Sequence, residues 1–156
     1  MQSCQENESL FIQVTFICSP FKITAIKSKI HTTAAPTPGG KYSQAIKSGN
    51  LVFLSGQLPM NATTGVIEMD DPHEMYRICF RNLAAICAAA GGHLNQIVKL
   101  QVYYTDICYA SFLDEVIPEF FQEPYPARIR LVVKEISKKA KVEIDGIMDL
   151  EIESGI

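Results

Sequence analysis

The sequence predicts an α+β fold, a mixed sheet carrying two helices on one face, and three observations lead there. Apolar residues recur at three- and four-residue steps in two segments and alternate with polar residues in several others. The segments follow the order strands, helix, strand, helix, strands, which suits a single sheet with its helices segregated to one side. Finally, 156 residues that are 47% apolar and 20% charged fit one domain with one core, far from the composition of a disordered chain. At this length a core suffices, and neither disulfides nor a structural metal are needed.

Residues 1 to 28 read as an N-terminal extension and residues 29 to 156 as a single domain. Residues 9 to 67 hold five lysines and no acid, so this part differs in charge from the rest. Leu10 to Cys18 is an apolar run too short to span a bilayer, and Glu6 and Glu8 stand where a secretory leader carries positive charge. Two readings stay open for the Ser/Thr-rich, acid-free stretch 9 to 35: a weakly ordered extension, or a leader for mitochondria or another organelle. Ala35-Pro36-Thr37-Pro38-Gly39-Gly40 is a turn-rich break. Ser43 to Lys47 and Leu51 to Ser55 flank Ser48-Gly49-Asn50 as a β-hairpin, and Asn61 to Gly65 is the next turn.

Asp71-Pro72-His73-Glu74 starts a helix, with Asp71 as cap, Pro72 in the first helical position and Glu74 closing a capping box. Met75, Ile78, Cys79, Leu83, Ile86, Cys87 and Ala90 form its apolar stripe, and Gly91-Gly92 end it. Ile97 to Asp106 alternates as a strand, with Val98, Leu100, Val102 and Tyr104 on one face. A second amphipathic helix is built on Phe112, Leu113, Val116, Ile117, Phe120 and Phe121, with a kink at Pro118. Two alternating strands, Ala127 to Lys134 and Lys141 to Ile152, complete the chain.

Composition removes several functions. A net charge of −3 disfavours a protein that lives by contacting phosphates, so RNA is disfavoured as a partner. Cys4, Cys18, Cys79, Cys87 and Cys108 form no C-x-x-C pair and are odd in number, which reads as reduced thiols of a cytoplasmic protein. His31, His73 and His93 lack metal-ligand spacing, and no metal is expected. Phosphate loops, dinucleotide fingerprints and nucleophile elbows are absent. What remains is a charge constellation. Period two places Arg128 and Arg130 on one face of their strand, and Glu143 and Asp145 on one face of theirs. This is either a solvated salt-bridge ladder or an arginine fork that receives a substrate carboxylate.

Several segments together resemble the YjgF/RidA family, also called the L-PSP endoribonuclease-like family. They are Tyr42-Ser43-Gln44-Ala45, Leu54 to Pro59, Asn82 to Gly91, Val98 to Asp106, Phe120-Phe121, Tyr125-Pro126-Ala127-Arg128 and Lys141 to Ile144, in order across residues 30 to 152. The resemblance implies a chorismate-mutase-like subunit that forms a homotrimer with a cleft between each pair of neighbours. It implies hydrolysis of 2-imino acids, such as 2-iminobutanoate and 2-iminopropanoate, to 2-oxo acids and ammonia, without cofactor or metal. It puts the substrate-binding arginine at Arg128, the cleft tyrosine at Tyr42, and the serine-glycine pair at Ser55 and Gly56. Three positions depart from the family's deaminases: Arg130 replaces a cysteine, Asp145 stands for a glutamate and Asp114 for an asparagine. On this reading Asp145 orients the attacking water, and Arg130 either contacts a second anionic group or pairs with Asp145 or Asp114. The rival readings are a non-catalytic trimer that binds 2-oxo acids or small anions, and an endoribonuclease using Arg128 and Arg130 on phosphates.

Overall fold

The computed structural model describes residues 27–152. The sequence-based readings of an extension and a leader therefore lie outside the described residues, except for the last two positions of the extension. The elements are β1 (Ser28–Ile30), β2 (Ala45–Ser48), β3 (Leu51–Gln57), α1 (Pro72–Ala89), β4 (Ile97–Tyr104), α2 (Ala110–Val116), β5 (Ala127–Val132) and β6 (Val142–Asp149). The strands form one six-stranded sheet ordered β1-β2-β3-β6-β4-β5. β4 and β5 run parallel, and every other neighbouring pair is antiparallel.

Because β3 and β4 both pair antiparallel with β6, they are parallel to each other. The chain thus makes two crossovers, β3-α1-β4 and β4-α2-β5, stepping in the same direction across the sheet. Right-handed crossovers of this kind must put both helices on the same face. That face carries Val52, Leu54, Leu100, Val102, Tyr104, Val142, Ile144 and Met148, all buried in one cluster with Met75, Tyr76, Phe80, Leu83 and Ile86 of α1 and Leu113 and Val116 of α2. The other face of the sheet stays open, and Phe53, Ile129 and Leu131 are exposed on it.

The helix starts and stops follow local chemistry. The Asp71 carboxylate accepts from the amides of His73 (2.9 Å) and Glu74 (3.3 Å). The expected capping box is not made. Glu74 turns instead to Arg81 (2.7 Å), and it is Glu68, before the helix, that accepts from the Asp71 amide (3.2 Å) as well as from Met69 and Asp70. A carboxylate already upstream in a tight turn reaches the cap without crossing a helical turn. At the other end Gly91 takes a positive φ of 87°, and the Gly92 amide returns to the Cys87 carbonyl at 3.0 Å. Burial pushes the Cys87 thiol up to about 12, and Cys79 is fully enclosed. Both are core residues, as their spacing indicated.

Two further readings need correction. Val98 is exposed while Ile97 is buried, because the β4–β6 register shifts between Ile97 and Lys99. An irregularity of one residue exchanges the faces of everything on one side of it. The second helix does not run through Pro118: α2 ends at Val116 and tightens into a 3-10 turn over Ile117–Glu119. Phe120 and Phe121 then pack on Phe80, with ring centroids 5.1 and 5.4 Å away. The strands are also shorter than read, β5 stopping at Val132 and β6 at Asp149.

Candidate functional site

The residues singled out in the sequence fall into two groups, on opposite faces of the sheet. The first is built on β2, β3 and β6. Gln44 is buried, and its side chain accepts from the Thr32 amide (2.7 Å) and donates to the carbonyls of Thr32, Ala35 and Pro36 (2.9, 3.2 and 3.0 Å). This ties the Pro/Gly-rich segment down onto β2. Tyr42 stands at the end of that segment, half exposed, its hydroxyl accepting from the Gly39 amide at 3.3 Å. Asn82 of α1 holds the opposite wall by donating to the Met60 carbonyl at 2.9 Å. Between them lies a cavity of about 290 Å³ lined by Tyr42, Gln44, Gly56, Gln57, Lys138 and Glu143 among others.

Gly56 sits in an irregularity of the β3–β6 pairing between Leu54 and Gln57. A Cβ there would lie 2.0 Å from a Glu143 carboxylate oxygen, so the absence of a side chain is what lets Glu143 lie across the strand. Burial, and secondarily the negative charge of Asp145, raise the Glu143 carboxyl above the usual range. The Ser55 hydroxyl donates to the Ser43 carbonyl at 2.7 Å and fastens β3 to the segment beside Tyr42. Lys138 reaches the cavity from a loop in which it and Lys139 both adopt positive φ, 56° and 61°.

Asp145 is two residues from Glu143 on the same face, but its oxygens are engaged by the Gln101 amide (2.7 Å) and the Tyr103 hydroxyl (3.3 Å). It lies outside the Tyr42 cavity, and Glu143 lines it. Glu143, which the sequence placed on this face beside Asp145 and gave no role, is the one of the two carboxylates that lines the cavity. Alternation put both acids on the correct face and could not choose between them; only the neighbour at Gly56 does.

The second group is on the sheet's edge strand. In the parallel register Arg128 stands opposite Leu100 and Arg130 opposite Val102, so both arginines leave β5 on the helix side. There Asp114 of α2 takes both: its Oδ1 lies 2.8 Å from Arg128 Nη2, and its Oδ2 accepts from Arg130 Nη1 at 2.9 Å. Of the two partners expected for Arg130, the structure selects Asp114. A pair with Asp145 is not formed, because Asp145 points from the other face. Three strand spacings separate β5 from β3, roughly 14 Å, and Arg128 does not border the Tyr42 cavity.

Among the described residues no cluster of His, Cys, Asp and Glu could hold a metal ion, and no helix is long and apolar enough to cross a membrane. The fold and site thus define a class: an α+β sheet with two helices packed on one face and a cavity lined by one burial-perturbed carboxyl. The family described as Endoribonuclease L-PSP matches residues 32–149, and the chain belongs to that family. A RutC family protein of Sinorhizobium fredii is 44% identical over 121 residues, covering 78% of this chain and 96% of the relative. A 2-iminobutanoate/2-iminopropanoate deaminase of Dermatophagoides farinae is 37% identical over 125 residues, 80% of this chain and 98% of the relative. Among solved structures, RidA from Psychrobacter superposes with a TM-score of 0.76 at 40% identity, covering 78% and 98% of the two chains. Escherichia coli TdcF with bound serine gives 0.75 at 35%, covering 79% and 98%.

Proposed function

We propose that this protein hydrolyses 2-imino acids to 2-oxo acids and ammonia in a cleft shared by two copies of the chain, three such clefts making a homotrimer. Arg128 on the edge strand of one copy binds the substrate carboxylate, and the Tyr42 cavity of the next copy receives the imine. The Glu143 carboxylate takes a proton from a water as its oxygen bonds to the imine carbon. The same proton is delivered to nitrogen, giving a carbinolamine. Glu143 then takes the hydroxyl proton and passes it to nitrogen as the carbonyl forms and the carbon–nitrogen bond breaks, and ammonia leaves the 2-oxo acid. A carboxyl raised by burial is suited to this exchange at neutral pH. Tyr42 closes the cavity and Lys138 adds positive charge at its rim.

The observation that carries this reading is the separation of Arg128 from Glu143: a carboxylate anchor and an acid–base group lie on opposite faces of the sheet in one chain. A second copy docked on the open face joins the two halves and covers Phe53, Ile129 and Leu131, which a monomer leaves in water. The similarity to the mite deaminase, and a serine bound in TdcF, agree with a small amino-acid-like ligand.

The test couples a serine or threonine dehydratase to this protein and follows the lifetime of the released imine. Shortening in proportion to added protein is the expected result. An unchanged lifetime, together with binding of 2-oxobutanoate, would replace the enzyme by a keto-acid-binding protein. Light scattering should report three chains; a monomer at micromolar concentration would remove the shared cleft.

A further inference from the structure

Arg128 and Arg130 carry two positive charges two residues apart on one strand face, and one carboxylate answers both. Each oxygen of Asp114 takes a different guanidinium, Oδ1 at 2.8 Å from Arg128 and Oδ2 at 2.9 Å from Arg130. The nitrogen used on Arg128 is Nη2. A guanidinium offers a carboxylate two planar forks, one through Nη1 and Nη2 and one through Nε and Nη2, and Nη2 belongs to both. Arg77 illustrates the second fork here, giving Nε and Nη2 to the two oxygens of Glu119 at 2.8 and 2.7 Å. Nη2 carries one N–H in each fork, so a carboxylate resting on it occupies one fork and sets its negative charge beside the other, where a second carboxylate would have to bind.

We propose that Asp114 is a built-in competitor for the substrate carboxylate at Arg128, and that Arg130 keeps hold of Asp114 when the substrate takes Arg128 over. The inference rests on Arg128 being the carboxylate anchor. Arg130 is then a positioning residue: it touches Asp114, not the substrate, and spares the displaced carboxylate from standing unpaired against the incoming one. Asp114 is half exposed and meets the two arginines through separate oxygens, so one contact can be given up while the other persists. The pair sets how tightly the anchor binds, which favours release of the 2-oxo acid once formed.

The test measures binding of 2-oxobutanoate by calorimetry to the intact chain and four variants, with thermal melting to verify folding. Asp114→Asn removes the competing charge, and affinity should rise roughly two- to fivefold, the worth of a partly exposed ion pair. Arg130→Ala frees both Asp114 oxygens for Arg128, and affinity should fall by a similar factor. The double variant is decisive. If Arg130 acts only through Asp114, Asp114→Asn with Arg130→Ala binds as tightly as Asp114→Asn alone; if the two charges act merely as an additive field, it returns to wild type, and the handover is wrong. Turnover should follow KM rather than kcat in the same variants. Arg128→Lys separates the layers: weakened binding there with no change in Asp114→Asn overturns the competitor and leaves the anchor standing. Unchanged binding in Arg128→Lys overturns both.

Discussion

The Tyr42 cavity and the arginine edge strand solve opposite problems with charge. On β5 the charged groups are exposed to a third or so of their surface and satisfied by each other, Arg128 and Arg130 against Asp114. Around Gly56 a single carboxyl, Glu143, is pressed into a half-buried position with another acid beside it and its ionised form made costly. On the proposed function the first arrangement is a binding device, adjustable by exchanging partners. On the same proposal the second moves protons, since burial raises its carboxyl in the direction of neutrality. A fold that keeps them on opposite faces of one sheet prevents Arg128 from pairing with Glu143, which would cancel both properties.

Breaking the proton-moving region should have the largest effect. Glu143→Gln keeps the shape and hydrogen bonding of the side chain but removes the base, so kcat for imine hydrolysis should fall by about 10²- to 10⁴-fold, with 2-oxobutanoate binding nearly intact by calorimetry. If kcat survives, the proton is handled elsewhere and Asp145 is next in line. Breaking the binding region should act on affinity: Arg128→Lys keeps the charge, loses the planar fork, and should weaken 2-oxobutanoate binding by about one to two orders of magnitude, with the melting temperature little changed.

Gly56→Ala sharpens the comparison, because it reaches Glu143 without altering any ionisable group. The new Cβ would collide with the end of a flexible side chain, so the protein should fold with a small loss of stability. The displaced carboxyl should lower turnover about tenfold or more, as misplacement of a reacting group by an ångström does. Equal loss of stability and activity would mean that Gly56 matters only for packing.

The smallest effect concerns pH. Asp145 is the second cause of the raised Glu143 carboxyl, after burial. As a base Glu143 works only when deprotonated, so activity should rise with pH through its pKa, at a point above the usual carboxylate range. Asp145→Asn removes the like charge and should move that acidic limb to lower pH without removing it. The raised carboxyl also has a stability consequence: its contribution is most favourable below the unfolded carboxylate pKa and is lost as pH rises through the folded value. A limb that stays in place in Asp145→Asn would leave burial as the whole cause.

Much of this protein was legible in its residues. The α1 stripe, the cap at Asp71, the stop at Gly91-Gly92 and the alternation in β5 and β6 are set by neighbours in the chain, within one helical turn or one strand step, and these appear where the periodicity put them. The order of elements and the right-handed crossovers then fix both helices on one face. The reading failed where a contact bridges distant segments. Alternation cannot show that Glu68 rather than Glu74 reaches the Asp71 amide, or that a register shift after Ile97 turns Val98 outward. It places Glu143 and Asp145 on one face with equal claims, and Arg130 within reach of two acids. Only the tertiary structure decided that Glu143 crosses Gly56, that Asp145 is held by Gln101 and Tyr103, and that Arg128 and Arg130 share Asp114, because each of these depends on which strands are neighbours and in what register. A period of two specifies a face, and a face becomes a site only when the sheet supplies the residue across the gap.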